Sequence, residues 1–377
     1  MSTRRHANGK RPVNGNDKNP ANGNGKKTVN KKALFIKSFL ISFIIFAGII
    51  VAGALALLNS AKPPVPPDPS NFDSAFYPRE TNDDKGNGSG VFLPEGFSLS
   101  DRKDAFYTFL LVGLDEGVQT DTIIVASYDG VSGAANLVSV PRDCLVNVSR
   151  RTKKINAAYG TGTLNGGRDG GIAQLRRELK TIIGFVPDYY VLIDLNAFRK
   201  IIDTIDGVEI NVPFYMEYDD PDQDLHIRIP RGVQTLYGKD ALHFARYRQG
   251  NPGGPSPTIS DYKRIENQQQ VIKAVLDKLI KPSNIAKIPE FLDIFNTYVH
   301  SDVKPDDMLW FIGELKKIKD TGMLTTHTLP TIDGVRLDNI SYELLDEAGI
   351  LELVNTTINP YKKDIEAKDI DIIVSLP

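Results

Sequence analysis

Cysteine is almost missing from this 377-residue chain: Cys144 is the only one. No intrachain disulfide is possible, so neither a disulfide scaffold nor a cysteine-rich zinc site can be built. Histidine is scarce too. The five present, His6, His226, His243, His300 and His327, show no metal-ligand spacing. The bulk of the chain also lacks excess positive charge. Residues 1–37 hold ten Lys/Arg and one acid, Asp17, giving +9; with −2 for the whole chain, the remainder carries −11. A nucleic-acid binder more often has a basic folded body. The residues ahead of the first apolar run leave no room for a helix-turn-helix. Nucleic acid is therefore not an expected partner, whereas a basic tail suits anionic membrane lipid.

What is present begins with that tail. Residues 1–37 are rich in Asn, Gly, Lys and Arg and too polar to bury a core, which predicts a disordered segment. Residues 38–59, SFLISFIIFAGIIVAGALALLN, carry no charge over 22 positions. At about 1.5 Å per residue they span a hydrocarbon layer of about 30 Å. The basic cluster lies ahead of them, which places the N-terminus in the cytoplasm and the body outside. The run is longer than a signal-peptide core, so a retained membrane anchor is expected rather than a cleaved leader. Residues 60–103 read as an extracytoplasmic linker, stiffened at its start by Pro63, Pro64, Pro66, Pro67 and Pro69.

Short apolar, branched and aromatic runs at 107–114, 122–128 and 136–140 predict strands, and 145–148 is a candidate to extend the sheet. A helix is expected over 170–184, with Ile172, Leu175, Leu179, Ile182 and Ile183 on one face. A strand at 189–195 leads to a helix capped by Asn196 and ended by Gly207. Strands follow at 208–212 and 225–229, then helices at 238–245 and 259–280. The alternation predicts an α/β fold, a mixed sheet sandwiched between helices, over residues 104–281. Residues 282–377 read as a mostly helical C-terminal extension, with helices at 284–298, 305–319 and 341–356 and strands at 323–329 and 370–375.

Four clusters can carry chemistry. GLD (113–115) ends the first strand, QTDT (119–122) opens the second, VPRD (140–143) ends the third, and RYRQGNPGGPSPTISDYKRIENQQQ spans 246–270. Ligands of α/β folds bind at strand ends. Arg246 and Arg248 are spaced as on one side of an extended segment, and planar guanidinium forks match phosphate oxygens. Ser260 is a candidate N-cap, and Asp261, Arg264 and Gln268 then share one helix face. These residues fit a phosphate or pyrophosphate site; a salt-bridged loop is the other reading. Asp115 and Asp121 flank one connection. Either they share a magnesium ion completed by phosphate oxygens, or they cap a turn and a strand start.

The ordered set GLD, TDT, VPRD, KINAAYG (154–160), PDYYVLIDL (187–195), DGVEINVP (206–213), LYGKDALHFARYR (236–248) and DYKRIENQQ (261–269) resembles the LytR-CpsA-Psr family. The resemblance covers about residues 104–281. It implies a phosphotransferase anchored in the cell membrane of a Gram-positive bacterium. Such an enzyme moves a glycopolymer, such as teichoic acid or capsule, from an undecaprenyl-pyrophosphate carrier to peptidoglycan. It implies Mg2+ at Asp115 and Asp121, pyrophosphate contacts from Arg142, Arg246, Arg248, Arg264 and Gln268, catalytic roles for Asp121 and Arg142, and a supporting role for Asp261. The chain departs from the family pattern at Gln119, where arginine is common, at Lys263, at Asn267 and at Cys144. A lipid-pyrophosphate hydrolase and a non-catalytic lipid- or polymer-binding protein would use the same residues. The apolar faces of the helices at 170–184 and 259–280 either line a lipid slot or form core.

Overall fold

A computed structural model describes residues 61–68, 93–115, 118–221, 225–279, 281, 284 and 287–374. The expected tail and membrane anchor, 1–59, lie outside the described residues. Among the described residues no helix is long and apolar enough to cross a membrane.

A six-stranded mixed sheet organises the body. It comprises β1 (Phe106–Leu114), β2 (Thr120–Asp129), β3 (Ala135–Ser139), β4 (Tyr189–Ile193), β9 (Val299–Ser301) and β10 (Leu324–Thr328), in the order β10-β3-β2-β1-β4-β9. β2 runs antiparallel to β1 and β3, β4 is parallel to β1, and β10 is parallel to β3. The carboxyl ends of β1, β3, β4 and β10 therefore share one edge with the start of β2. Ligands collect at that edge in such sheets.

Both faces of the sheet are covered, because strand side chains alternate sides. Leu110, Val112, Val125 and Val138 pack with Leu175, Leu179 and Ile182 of α1 (Ala157–Ile183). Phe109 and Leu111 face the other way. Phe109 meets Phe311 of α6 (Pro305–Thr321) edge-on, with ring centroids 4.9 Å apart. Burial of each such aliphatic side chain contributes roughly 1.5–3 kcal/mol. A second apolar core lies under the two-stranded ladder β5–β8 (Val208–Val212, Gly232–Leu236) and the hairpin β6–β7 (Met216–Asp220, Leu225–Ile229) inserted between its strands. It is closed by α2 (Leu195–Thr204), α3 (Gly238–Arg246), α4 (Asp261–Leu279) and Phe291 of α5 (Ile288–Tyr298).

Several local expectations change. α1 begins thirteen residues before 170, with a break at Gly166 and Gly167, where the backbone is non-helical. Its apolar face, Ile172 to Ile183, is core, not a lipid slot. Asp194, not Asn196, caps α2, accepting a bond from the Ala197 amide at 2.7 Å. In the stretch 145–148 only Leu145 and Val146 pair, as isolated bridges to Lys154 and Ile372 rather than as a sheet strand, and among the described residues near 370–374 only Ile372 bridges.

The expected helix at 341–356 splits into strand β12 (Ile340–Leu345), α7 (Glu347–Leu353) and a π-helical turn at Val354–Ile358. β12 pairs with β11 (Thr331–Leu337) across Asp338 and Asn339, both with positive φ (50° and 64°), as a tight hairpin turn requires. The stretch set apart as an extension is integral to the body. It supplies both edge strands of the sheet, and Ile350, Val354, Ile358, Tyr361 and Ile365 are buried in the main core. The body also starts before residue 104: Phe97 packs edge-on against Tyr361, and Lys103 Nζ donates to the Asn359 carbonyl at 2.9 Å.

Candidate functional site: an arginine-lined anion pocket

The site grows from an irregularity in β2. Gly113 pairs with Thr122 and Leu114 with Thr120, so Asp121 is passed over as a bulge. A bulged residue leaves the ladder and its side chain is re-aimed. Asp121 Oδ1 accepts from Arg142 Nη1 at 2.7 Å. Arg142 sits just beyond β3, where Asn156 fixes the backbone. The Asn156 amide donates to the Arg142 carbonyl at 3.2 Å, and its carbonyl accepts from the Thr120 amide at 3.4 Å. The KINAAYG stretch thus ties the β2 start to the β3 end. Asp115 closes the intervening loop: its amide donates to the Gln119 carbonyl at 3.1 Å, and its carboxylate accepts from the Gln119 amide at 3.3 Å.

The first turn of α4 faces this loop. Ser260 Oγ accepts from the Lys263 amide at 3.2 Å, as an N-cap does. Arg264 is 3% exposed and pairs with Asp261 at 2.8 Å; Arg248 pairs with the same carboxylate at 3.3 Å. Burial, then the Arg142 guanidinium, pulls Arg248 below the ordinary guanidinium range. Burial pushes the Asp261 carboxyl up, against the opposing pull of Arg248 and Arg142. Arg246 and Arg248 flank the fully buried Tyr247, whose hydroxyl donates to the Pro257 carbonyl at 2.6 Å.

A small, partly open cavity lies among these groups. Asp121, Ser139, Arg142, Arg264 and Gln268 line it; Asp115, Arg246, Arg248 and Asp261 lie outside its lining. Arg142 Nε, 3.9 Å from Asp143 Oδ1, and Arg264 Nε are buried donors that make no hydrogen bond among the described residues. An unsatisfied buried donor costs about 1–3 kcal/mol. Two of them on arginines lining one cavity suit an anion with several oxygens.

Two carboxylates are fewer than an all-protein metal cage needs, and among the described residues no three His, Cys, Asp or Glu converge. Magnesium completes its octahedron with substrate oxygens and water; Asp115 follows the end of β1 and Asp121 sits on the β2 bulge, two carboxylates of the kind such a site uses. Asn267, where the resemblance expects arginine, is 4% exposed, and its Nδ2 has no partner among the described residues. Cys144, beside the Arg142 loop, is fully buried, and burial raises its thiol well above the ordinary value.

Two residues of the sequence motifs, Asp143 of VPRD and Lys154 of KINAAYG, meet here, and a third charged group, Glu343, escaped the sequence reading. Asp143 holds Lys154 at 2.9 Å. The hairpin β11–β12 adds Glu343, whose amide donates to the Asp143 carbonyl at 3.0 Å. Burial, then Asp143 and Asp261, pushes the Glu343 carboxyl above its ordinary range. No local signal marks Glu343; only the parallel pairing of β10 with β3 carries the following hairpin to this edge.

The fold is α/β with arginines at one end of its sheet, and the chain belongs to the LytR_cpsA_psr family, whose model matches residues 77–359. The regulatory protein MsrR of Staphylococcus aureus is 29% identical over 219 residues, which cover 56% of this chain and 61% of that protein. Bacillus subtilis TagV, named a polyisoprenyl-teichoic acid–peptidoglycan teichoic acid transferase, is 28% identical over 215 residues, 54% of this chain and 51% of that protein. The chain thus spans less than two thirds of the length of these relatives. The crystal structure of B. subtilis TagV aligns with a TM-score of 0.54 at 23% identity, covering 67% of this chain and 95% of that one. A structure of TagT bound to LIIa-WTA aligns with a TM-score of 0.53 at 19% identity, covering 70% and 93%. These two likenesses show a common fold.

Proposed function

We propose that the protein is a membrane-anchored phosphotransferase. It moves a wall glycopolymer from an undecaprenyl-pyrophosphate carrier to peptidoglycan on the outer face of the cell membrane. The observation that carries this reading is the pair of buried donors that make no hydrogen bond among the described residues, Arg142 Nε and Arg264 Nε, on the lining of one small cavity. Family membership and the printed name of TagV support the reaction class. The uncharged run at 38–59 supports anchoring beside a lipid-borne donor.

In this reading Arg142 and Arg264 bind oxygens of the carrier pyrophosphate, and Arg246 and Arg248 extend the positive rim. A sugar hydroxyl of peptidoglycan attacks the glycan-side phosphorus, giving its proton to Asp121 or to a phosphate oxygen of the substrate. The new P–O bond joins glycan to wall, the bond to the bridging oxygen breaks, and undecaprenyl phosphate leaves. Charge growing on the phosphoryl oxygens is stabilised by arginines already in place. Asp261 holds Arg264 and Arg248, and Asp121 holds Arg142, so these forks are oriented before substrate arrives. Asp115 and Asp121 would hold magnesium, which when bound neutralises pyrophosphate charge.

The test uses the full chain in detergent with a polyprenyl-pyrophosphate oligosaccharide, magnesium and peptidoglycan oligomers, read by mass spectrometry. A phosphodiester-linked product, lost in Arg142→Ala, is expected. Released glycan phosphate without linkage would assign a hydrolase instead. Donor binding without turnover would assign a binding protein, the reading that the Asn267 departure favours.

A further inference from the structure

Residues 61–68, AKPPVPPD, precede the region matched by the family, which begins at residue 77. They lie against the folded body. Pro64 is buried while its neighbour Val65 is 87% exposed. The Pro64 carbonyl accepts a hydrogen bond from the Tyr107 hydroxyl at 2.9 Å. Prolines have no N–H, and an extended proline-rich run has no internal hydrogen bonds, so its carbonyls are open to outside donors. Aromatic grooves bind such runs because the stiff chain loses little entropy on docking.

The receiving surface has that composition. Tyr107 is 1% exposed and sits 5.3 Å from Trp310 and 5.1 Å from Phe311 between ring centroids. Tyr128 and Tyr189 border the same cluster. Burial, with Asp188 nearby, pushes the Tyr107 phenol up to about 12, so it stays a donor throughout the physiological range.

The position of the contact matters. The expected membrane span ends at Asn59, and five residues reach at most about 18 Å from there to Pro64. Without the contact, the chain from Asn59 to residue 93 would form a tether of about 30 Å root-mean-square length, and about 110 Å fully extended. We propose that residues 63–67 are an intramolecular strap. Docked on the Tyr107–Trp310–Phe311 surface, they hold the body close to the bilayer; released, they let it reach outward. The reach of the strap rests on the membrane-anchored reading above, whereas the docking itself does not.

Trp310 is the only tryptophan in the chain, so its fluorescence reports this surface. The full chain would be reconstituted in phosphatidylethanolamine/phosphatidylglycerol vesicles carrying dansyl-labelled headgroups. It would be compared with a variant bearing Pro63→Ser, Pro64→Ser, Pro66→Ser and Pro67→Ser, and with Tyr107→Phe. The expected result is a red shift of Trp310 emission and energy transfer to dansyl lowered by about half in the fourfold variant, with smaller changes of both in Tyr107→Phe. Unchanged emission in the fourfold variant overturns the docking. Shifted emission with unchanged transfer overturns the control of reach. A chain that does not pellet with vesicles refutes the anchor, and its emission in solution then still decides the docking.

Discussion

Arg142 reaches Asp121 at 2.7 Å because Asp121 is the residue that β2 leaves out of its ladder with β1. The carboxylate takes Nη1 and leaves the buried Nε without a hydrogen bond among the described residues. One arginine is thus both oriented and available. Arg142→Ala is expected to lower transfer by about 100-fold or more, the scale of losing one pre-placed oxyanion donor. Arg142→Lys is expected to recover only part of this, because an ammonium cannot reproduce the fork. Single-turnover rates measured beside unfolding midpoints would separate chemistry from folding.

Arg264 is nearly sealed from solvent and is paired with Asp261. Removing one partner of a buried pair leaves a charge behind, but Asp261 keeps Arg248 and some exposure. Arg264→Met is therefore expected to cost about 1–3 kcal/mol of stability, read by urea unfolding, while pyrophosphate binding is lost by calorimetry. Retained binding would remove Arg264 from the anion site.

Glu343 adds a pH dependence of defined sign. Its carboxyl is held above the ordinary 4.5 by burial, then by Asp143 and Asp261. Its favourable contribution to stability is fully present below the unfolded value and is lost as pH rises through the folded one. Over the same window ionisation adds negative charge beside the pocket, so pyrophosphate affinity should fall as pH rises past 4.5. Glu343→Gln is expected to flatten that fall and to tighten binding about fivefold at neutral pH. Calorimetric titrations from pH 4.5 to 7.5 would show it, and parallel slopes in both proteins would exclude the effect.

Asp115 and Asp121 are expected to set the magnesium requirement. Asp115→Asn and Asp121→Asn should each raise the magnesium concentration needed for half-maximal pyrophosphate binding by about tenfold or more. Chelation should weaken binding in the native chain and change little in the double variant.

The sheet was legible where apolar runs are continuous, as at Phe106–Leu114 and Thr120–Asp129, because strands covered on both faces need no alternation. Ile340–Leu345 read as helix because SYELL and the residues after it are rich in helix formers, and pairing with β11 overrides that propensity. Strands β6 and β8 were missed because their half-exposed, polar sequences, MEYDD and GVQTL, carry little apolar signal. In the site, arginines and aspartates close in sequence were visible as motifs. The bulge at Asp121 and the arrival of Glu343 beside Asp143 were not, because both are set by strand pairing between distant segments.

The lone thiol has a practical consequence. Cys144 is fully buried, and its raised ionisation leaves little thiolate at neutral pH. The native chain is therefore a silent background for thiol-directed labels, and one cysteine introduced at an exposed position such as Val65 would carry a single probe. Left unaltered, Cys144 becomes a clock: slow modification by a thiol reagent would record each opening of the core beside the Arg142 loop.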